Sequence, residues 1–189
     1  ERRQGVNLLY DPIPEAVLVA GHAYRIYTDY RDWMRFFAMQ EDASGTPRQK
    51  LLLSLDWYKE RPPIQHLEAS IQALMQFAQR EQYKRQAEAR HTSERLLDWS
   101  YDAPYLYAAF LSVYRLDLIR VEHLHWHVFL AMLDGLPDDT PIKQRMQYRS
   151  VNLAAVKDPQ ERRRIAAIQD KIRIPGGELD AFQCGAFFG

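Results

Sequence analysis

The chain lacks the residues that several common kinds of site require. Cys184 is its only cysteine, so an internal disulfide, a zinc ribbon and a CxxC redox pair are excluded. Lys+Arg 25 against Asp+Glu 25 gives a formal net charge of +0, so no broad basic field is available to neutralise a phosphate backbone. We expect no nucleic-acid partner and a protein suited to a reducing cytosol.

Long apolar runs are also missing. The uninterrupted apolar stretches are only a few residues long, whereas a membrane-spanning helix needs roughly 20 such residues. No secretory signal pattern opens the chain. We therefore expect a soluble protein that is not exported and has no membrane partner.

Motifs for nucleophilic or phosphate chemistry are absent. Ser112 and Ser150 have no GxSxG elbow around them, and Cys184 lies in a C-terminal tail. The chain has neither GxxxxGK[ST] nor GxGxxG, the glycine-rich patterns that cradle phosphates. These absences argue against an enzyme and against a bound cofactor.

Three aspartates are candidates for paired carboxylates in acid–base chemistry. The spacings of Asp98, Asp102 and Asp117 do not force their side chains together. Asp102 is also placed to cap a helix. The sequence therefore predicts no catalytic carboxylate pair.

His123 and His127 are weak candidates for a metal site. Residues four apart lie on one face of a helix, and this spacing allows two imidazoles to bind one ion. However, position 124 is leucine, so the metalloprotease pattern with its general base is absent. His125 shares a predicted core stripe and is interpreted as a hydrogen-bonded structural histidine. We expect no metal.

The basic run Arg162–Arg164 allows two interpretations. It could contact phosphate, but its predicted helix begins with acidic residues and the chain is neutral overall. A solvated helix face is favoured.

Hydropathy patterning predicts a mainly α protein. With 189 residues, 47% of them hydrophobic, the chain can bury the core of one ordinary domain. We expect a compact multi-helix domain over residues 1–174, with a small N-terminal β-hairpin at about 16–27. The turn is expected at Ala20-Gly21, because glycine tolerates the positive φ of tight hairpins.

Apolar periodicity and capping residues predict six helices. Their approximate ranges are 28–40, 46–58, 64–83, 102–114, 118–134 and 158–173. Apolar residues fall on two neighbouring stripes in both 102–114 and 118–134, which is typical of central helices. The polar segment at about 84–94 is expected to be a linker or a helix extension. Residues 175–189 form an apolar tail.

Particular residue blocks carry a resemblance that covers about Asn7 to Arg173. They are Asn7-Leu8-Leu9, Asp11-Pro12, Tyr24, Thr28 to Trp33, Tyr101-Asp102, Tyr107 to Phe110, Leu124-His125-Trp126, Gly135-Leu136-Pro137 and Tyr148-Arg149-Ser150. In this order they resemble the bacteriophage gene-product-fifteen family of siphophage tail modules. The chain departs from that family at His127, where an aromatic residue is common, and beyond Pro175.

The resemblance implies a role in tail assembly. Relatives are encoded just ahead of the tape-measure gene, which is typical of tail assembly chaperones. The implied partners are the tape-measure protein and the tail-tube protein, met in the cytoplasm of the infected bacterial host, with the protein absent from the mature virion. The alternative is a structural virion component, such as a neck or tail-completion protein.

The family blocks imply no catalytic residue, so they are treated as a fold signature. Trp126, Tyr107 and Phe110 are expected to be core anchors, because they lie on apolar stripes. The remaining signature positions are Trp33, Tyr101, Asp102, Leu124, His125, Tyr148 and Arg149. Partner binding or self-association is instead expected at Phe182, Phe187 and Phe188 in the tail, since exposed apolar surface marks contact sites.

Overall fold

The computed structural model describes residues 8–78 and 96–175. Seven α-helices and one two-stranded sheet occur in these ranges, which confirms a mainly α fold with an N-terminal hairpin. The polar segment 84–94 lies outside the described residues, as do the tail phenylalanines Phe182, Phe187 and Phe188.

The hairpin forms where its turn residues predicted it. Strand β1 (Ala16–Val19) pairs antiparallel with β2 (His22–Arg25), with Val19 opposite His22 at the turn. Ala20 and Gly21 both have positive φ, 49° and 83°, and such backbone angles match the twist of two-residue hairpins.

Among the described residues the chain divides into two compact units. Unit one comprises 8–78 and 122–134, and unit two comprises 96–121 and 135–175. The single domain over 1–174 stays a prediction.

Unit one contains the hairpin and four helices. The helices are α1 (Tyr30–Glu41), α2 (Pro47–Ser54), α3 (Leu67–Ala78) and α5 (Trp126–Asp134). Short 3-10 turns follow α2 and precede α3, at Leu55–Trp57 and Ile64–His66. The predicted continuation of the third helix to about residue 83 lies outside the described ranges.

Aromatic rings form the core of unit one. Trp33 of α1 packs against Phe77 of α3 with ring centroids 4.9 Å apart, and against Trp126 of α5 at 6.4 Å. Phe36 adds a further fully buried ring. Rings of this size dominate core energetics, so α1, α3 and α5 are held together mainly by their aromatic side chains.

Unit two contains three helices. They are α4 (Ala103–Tyr114), α6 (Pro141–Ser150) and α7 (Pro159–Ile172), with a 3-10 turn at Leu153–Ala155. Leu106, Ala109 and Phe110 are the buried residues of α4.

Local capping chemistry accounts for three helix starts. Asp29 accepts a hydrogen bond from Arg31 N before α1, and Asp158 accepts from Gln160 N before α7. At α2, Thr46 and Gln49 each bond the other's backbone, which is a complete capping box. These boundaries agree with the predictions.

The structure departs from the helix predictions in three places. The helix expected over 118–134 begins only at Trp126, and residues 115–125 form irregular chain with a turn at 118–120. Helix α6 was not predicted, although Thr140-Pro141 offers a cap and a first-turn proline. Helix α4 does not bury both of its apolar stripes, because Leu111 and Val113 are exposed.

Candidate functional site

The Leu124-His125-Trp126 block joins the start of α1. Leu124 N donates to the Asp29 carboxylate at 3.1 Å, and Trp126 N donates to Thr28 O at 2.7 Å. Arg31 completes the junction through a two-point ion pair with Asp29. Burial alone raises the pKa of Asp29, but hydrogen bonds from Arg31 and Leu124 outweigh this effect and hold the pKa below its ordinary value. Asp29 is therefore both the α1 cap and the anchor for the segment before α5.

Two buried histidines secure α5 to its surroundings. His125 Nε2 lies 3.0 Å from Pro14 O, and His127 Nε2 lies 2.8 Å from Phe77 O. Since a carbonyl oxygen only accepts, each Nε2 carries a proton. Trp126 Nε1 donates to Ala78 O at 3.0 Å. One ring nitrogen of each of these three residues thus satisfies a backbone carbonyl, and His125 is a hydrogen-bonded structural histidine, as predicted.

The proposed metal site at His123 and His127 required both residues to lie on one face of a helix, and they do not. His123 precedes α5 and is exposed, whereas His127 is buried within the helix, so the two do not share a helix face. His123 Nε2 lies 3.2 Å from the Thr28 hydroxyl, and His127 Nε2 is engaged by Phe77 O. Over residues 8–78 and 96–175, no group of three or more potential metal ligands is placed to hold an ion.

A buried ion cluster joins two of the family blocks, Tyr101-Asp102 and Tyr148-Arg149-Ser150. Arg149 donates to Asp102 from both terminal nitrogens, at 2.5 and 2.9 Å, and also to Leu96 O and Ile172 O. Arg145 Nε donates to the same carboxylate at 3.1 Å. Burial alone raises the pKa of Asp102, but Arg149 and the other donors outweigh this effect and keep the pKa below its ordinary value.

The cluster corrects the predicted role of Asp102. The residue occupies the position before α4, but its side chain makes no capping bond to the helix. It is fully buried and engages two guanidinium groups, which form stronger charge-assisted bonds than a backbone amide. The Tyr101-Asp102 and Tyr148-Arg149-Ser150 blocks therefore lie next to each other, and their contact has a structural role.

Arg145 was missed by sequence reasoning. Its guanidinium carbon lies 4.2 Å from the Tyr105 ring centroid and 5.5 Å from that of Tyr101. The Arg145 side chain is only 14% exposed, so it stacks on these tyrosines beside the buried ion cluster. The Arg145-x-x-x-Arg149 spacing was visible, but nothing local indicated that both side chains meet Asp102.

The outward side of α4 is an uncharged surface, which we call the α4 face. Its members are exposed residues at helical spacing: Pro104, Tyr105, Ala108 and Leu111. No charged residue occurs anywhere in α4, so this face presents only aromatic, aliphatic and small side chains. Such surface is a candidate for protein contact.

Helix α2 provides a second apolar surface, which we call the α2 face. Leu51, Leu52 and Leu53 are 40%, 41% and 49% exposed, while Ser54 is buried. Ser54 satisfies its hydroxyl by donating to Lys50 O and accepting from Gln40 Nε2. This helix therefore buries a serine and presents leucines outward, the reverse of an ordinary surface helix.

The other candidate chemical groups have structural roles. The carboxylates of Asp98 and Asp117 accept backbone amides within their own turns. The hydroxyls of Ser112 and Ser150 donate to carbonyls of their own helices, Ala109 O and Gln147 O.

The basic run is a solvated helix face, as favoured from the sequence. Arg162–Arg164 are exposed on α7. Arg164 pairs with Glu161 within the helix, and Arg162 Nε donates to Val156 O. The run is therefore interpreted as an ordinary helix surface.

The other signature residues are placed as follows. Phe110 and Trp126 are fully buried, and Tyr107 is half-buried. Tyr148 contributes its backbone carbonyl as an acceptor for Gln169 Nε2.

Within the described ranges, no helix has the length and apolar character needed to cross a membrane.

The fold and its sites define a small helical protein whose distinctive polar residues serve structure and whose α2 and α4 faces are apolar. Residues 9–174 match the family model described as Bacteriophage Gp15 protein. The chain belongs to this bacteriophage Gp15 family, which confirms the resemblance. Membership makes it a phage protein and is consistent with a structural protein of the head-to-tail connector type. No curated protein and no solved structure gave a match.

Proposed function

We propose that this protein is a non-enzymatic tail assembly chaperone. It binds the tape-measure protein and recruits tail-tube subunits in the cytoplasm of the infected host, and it is absent from the mature virion. The observation that carries the proposal is the uncharged α4 face, exposed beside the stacked Tyr105 and Arg145. Family membership supplies the phage context.

The α4 face has the chemistry to hold an apolar helix. Tyrosine and arginine are enriched among residues that dominate binding energy. A long helical partner such as a tape-measure protein exposes apolar stripes before assembly, and packing these stripes on an apolar surface keeps the chain in solution. No residue of α4 carries a charge, so contact with an apolar helix would desolvate no ion of α4 itself, and the neighbouring Arg145 is already paired with Asp102.

The structural roles of the polar residues support a non-enzymatic protein. Asp102 is occupied by Arg145 and Arg149, and Asp29 by Arg31 and Leu124 N. A carboxylate held in this way has a lowered pKa and is poorly suited to proton transfer near neutral pH.

Co-expression with the tape-measure protein encoded beside this chain tests the proposal. Size-exclusion chromatography with light scattering of the soluble fraction should reveal a stable complex of the tape-measure protein with several copies of this chain. An insoluble tape-measure protein, with this chain eluting alone, would contradict the chaperone role.

Surface variants locate the contact. Leu111→Glu places a charge in the α4 face and should abolish the complex. Ile119→Glu is the matched control, because Ile119 is 76% exposed and lies outside both apolar faces. If both variants bind as well as the unaltered chain, the α4 face is not the contact surface.

A structural connector is the second candidate, favoured by a separate observation. Each unit carries its own apolar surface, the α2 face in unit one and the α4 face in unit two. Two such surfaces suit a component that contacts two neighbours permanently. In that case Leu52→Glu and Leu111→Glu should each block incorporation into particles.

A further inference from the structure

The bonds of His125 fix its protonation state. His127 N donates to His125 Nδ1 at 3.1 Å, and His125 Nε2 lies 3.0 Å from Pro14 O. A backbone N–H only donates, so Nδ1 must be without a proton. A carbonyl oxygen only accepts, so Nε2 must carry one. His125 is therefore held neutral as the Nε2–H tautomer.

The same residue caps a helix. Helix α5 begins at Trp126, and Phe129 N donates to His125 O at 2.9 Å, so His125 occupies the N-cap position. Its Nδ1 satisfies the amide of His127, one of the donors left without a partner in a first turn. A protonated imidazole could not accept this bond and would also be repelled by the positive end of the helix dipole.

The surroundings favour the neutral ring. His125 is buried, with the rings of Phe77 and His127 at 5.8 and 5.2 Å. The titratable or charged groups around it are His123, Glu15, His127 and the Asp29–Arg31 pair, and Asp29 forms an isolated β-bridge with His125. Burial lowers the pKa of His125 most and His123 lowers it further, while the Pro14 bond and Glu15 act in the opposite direction.

We propose that His125 is an acid-sensitive cap, whose protonation at Nδ1 releases the first turn of α5 and its link to Pro14. Opening this junction takes up one proton. The equilibrium constant for opening therefore rises by up to about tenfold per pH unit. This rise begins at about pH 6.5 and continues as the pH falls toward the lower pKa that His125 has in the folded state. Acid would thus loosen unit one at the Leu124-His125-Trp126 block.

Hydrogen exchange of the full-length chain tests this directly. The protection factor of the His127 amide should fall by up to about tenfold per pH unit below about pH 6.5. His125→Asn should remove this dependence, because Asn Oδ1 accepts the same amide bond but does not titrate. His22→Asn, at the exposed first residue of β2, is the control and should behave as the unaltered chain does. Equal pH dependence in His125→Asn and the unaltered chain would overturn the proposal.

Nitrogen-15 NMR of the unaltered chain gives a second test that does not depend on a variant folding. At pH 8 the His125 ring should show a protonated Nε2 and an unprotonated Nδ1. Its titration midpoint should lie below about 6.5. A proton on Nδ1, or a midpoint at or above that value, would contradict the inference.

Discussion

Arg149 and Asp102 form a two-point ion pair in the interior of unit two, with nitrogen–oxygen distances of 2.5 and 2.9 Å. Asp102→Asn should lower the free energy of unfolding by about 3–5 kcal/mol, because it leaves a buried guanidinium without its counter-charge. Urea denaturation measures the change. Arg164→Gln, which removes an exposed ion pair on α7, should change the midpoint little. A small effect of Asp102→Asn would show that the pair is not needed for unit two.

Substitutions of two adjacent residues on α4 should differ greatly in their effect on stability. Phe110 is fully buried and Leu111 is 40% exposed. Phe110→Ala should cost about 3–5 kcal/mol through the cavity it leaves, whereas Leu111→Ala should stay within about 0.5 kcal/mol. Thermal unfolding of both variants checks this. Equal, large losses of stability in the two variants would instead support the sequence-based prediction that α4 is buried on two sides.

The hairpin turn offers a stabilising substitution. Ala20 adopts a left-handed conformation, with φ 49°, beside Gly21. Because this conformation costs a non-glycine residue roughly 1–2 kcal/mol, Ala20→Asn should stabilise the chain by up to about 1 kcal/mol through the favoured Asn-Gly turn. Gly21→Ala should destabilise it, and a rise in unfolding temperature for that variant would contradict the assigned turn.

Acid should destabilise the α1 junction through Asp29. Its folded-state pKa lies below the unfolded value, so this contribution to stability is present above about pH 3.9 and is lost as the pH falls through the folded pKa. In urea midpoints measured from pH 5 to pH 2, Asp29→Asn should show a shallower decline than the unaltered chain. A decline of equal steepness would mean that Asp29 does not contribute to acid sensitivity.

Sequence reasoning succeeded where the determining chemistry is local. Asp29, Thr46 and Asp158 cap their helices within three residues, and the Ala20-Gly21 turn has its own backbone preference. Periodicity identified α3 and α4 as helices for the same reason. Neither signal depends on distant parts of the chain.

The failures arise from long-range bonds. Residues 118–125 have apolar spacing typical of a helix, yet Leu124 N and Trp126 N donate to Asp29 and Thr28 O. These bonds use backbone donors that a continuous helix would have needed. Asp102 was likewise assigned a capping role, because Arg145 and Arg149 are more than forty residues away along the chain.

The exposed α2 and α4 faces could not be predicted from the sequence either. An apolar stripe on a sequence indicates a core face, so Leu51 to Leu53 and Leu111 gave no sign of exposure. Only their surroundings in the folded chain distinguish them from buried residues such as Phe110.

Quantitative mass spectrometry of purified virions and of infected-cell lysate tests the central claim most directly. A tail assembly chaperone should be abundant in the lysate and absent from the virions. Persistent stoichiometric copies of this chain in purified particles would contradict the chaperone role and support the structural connector.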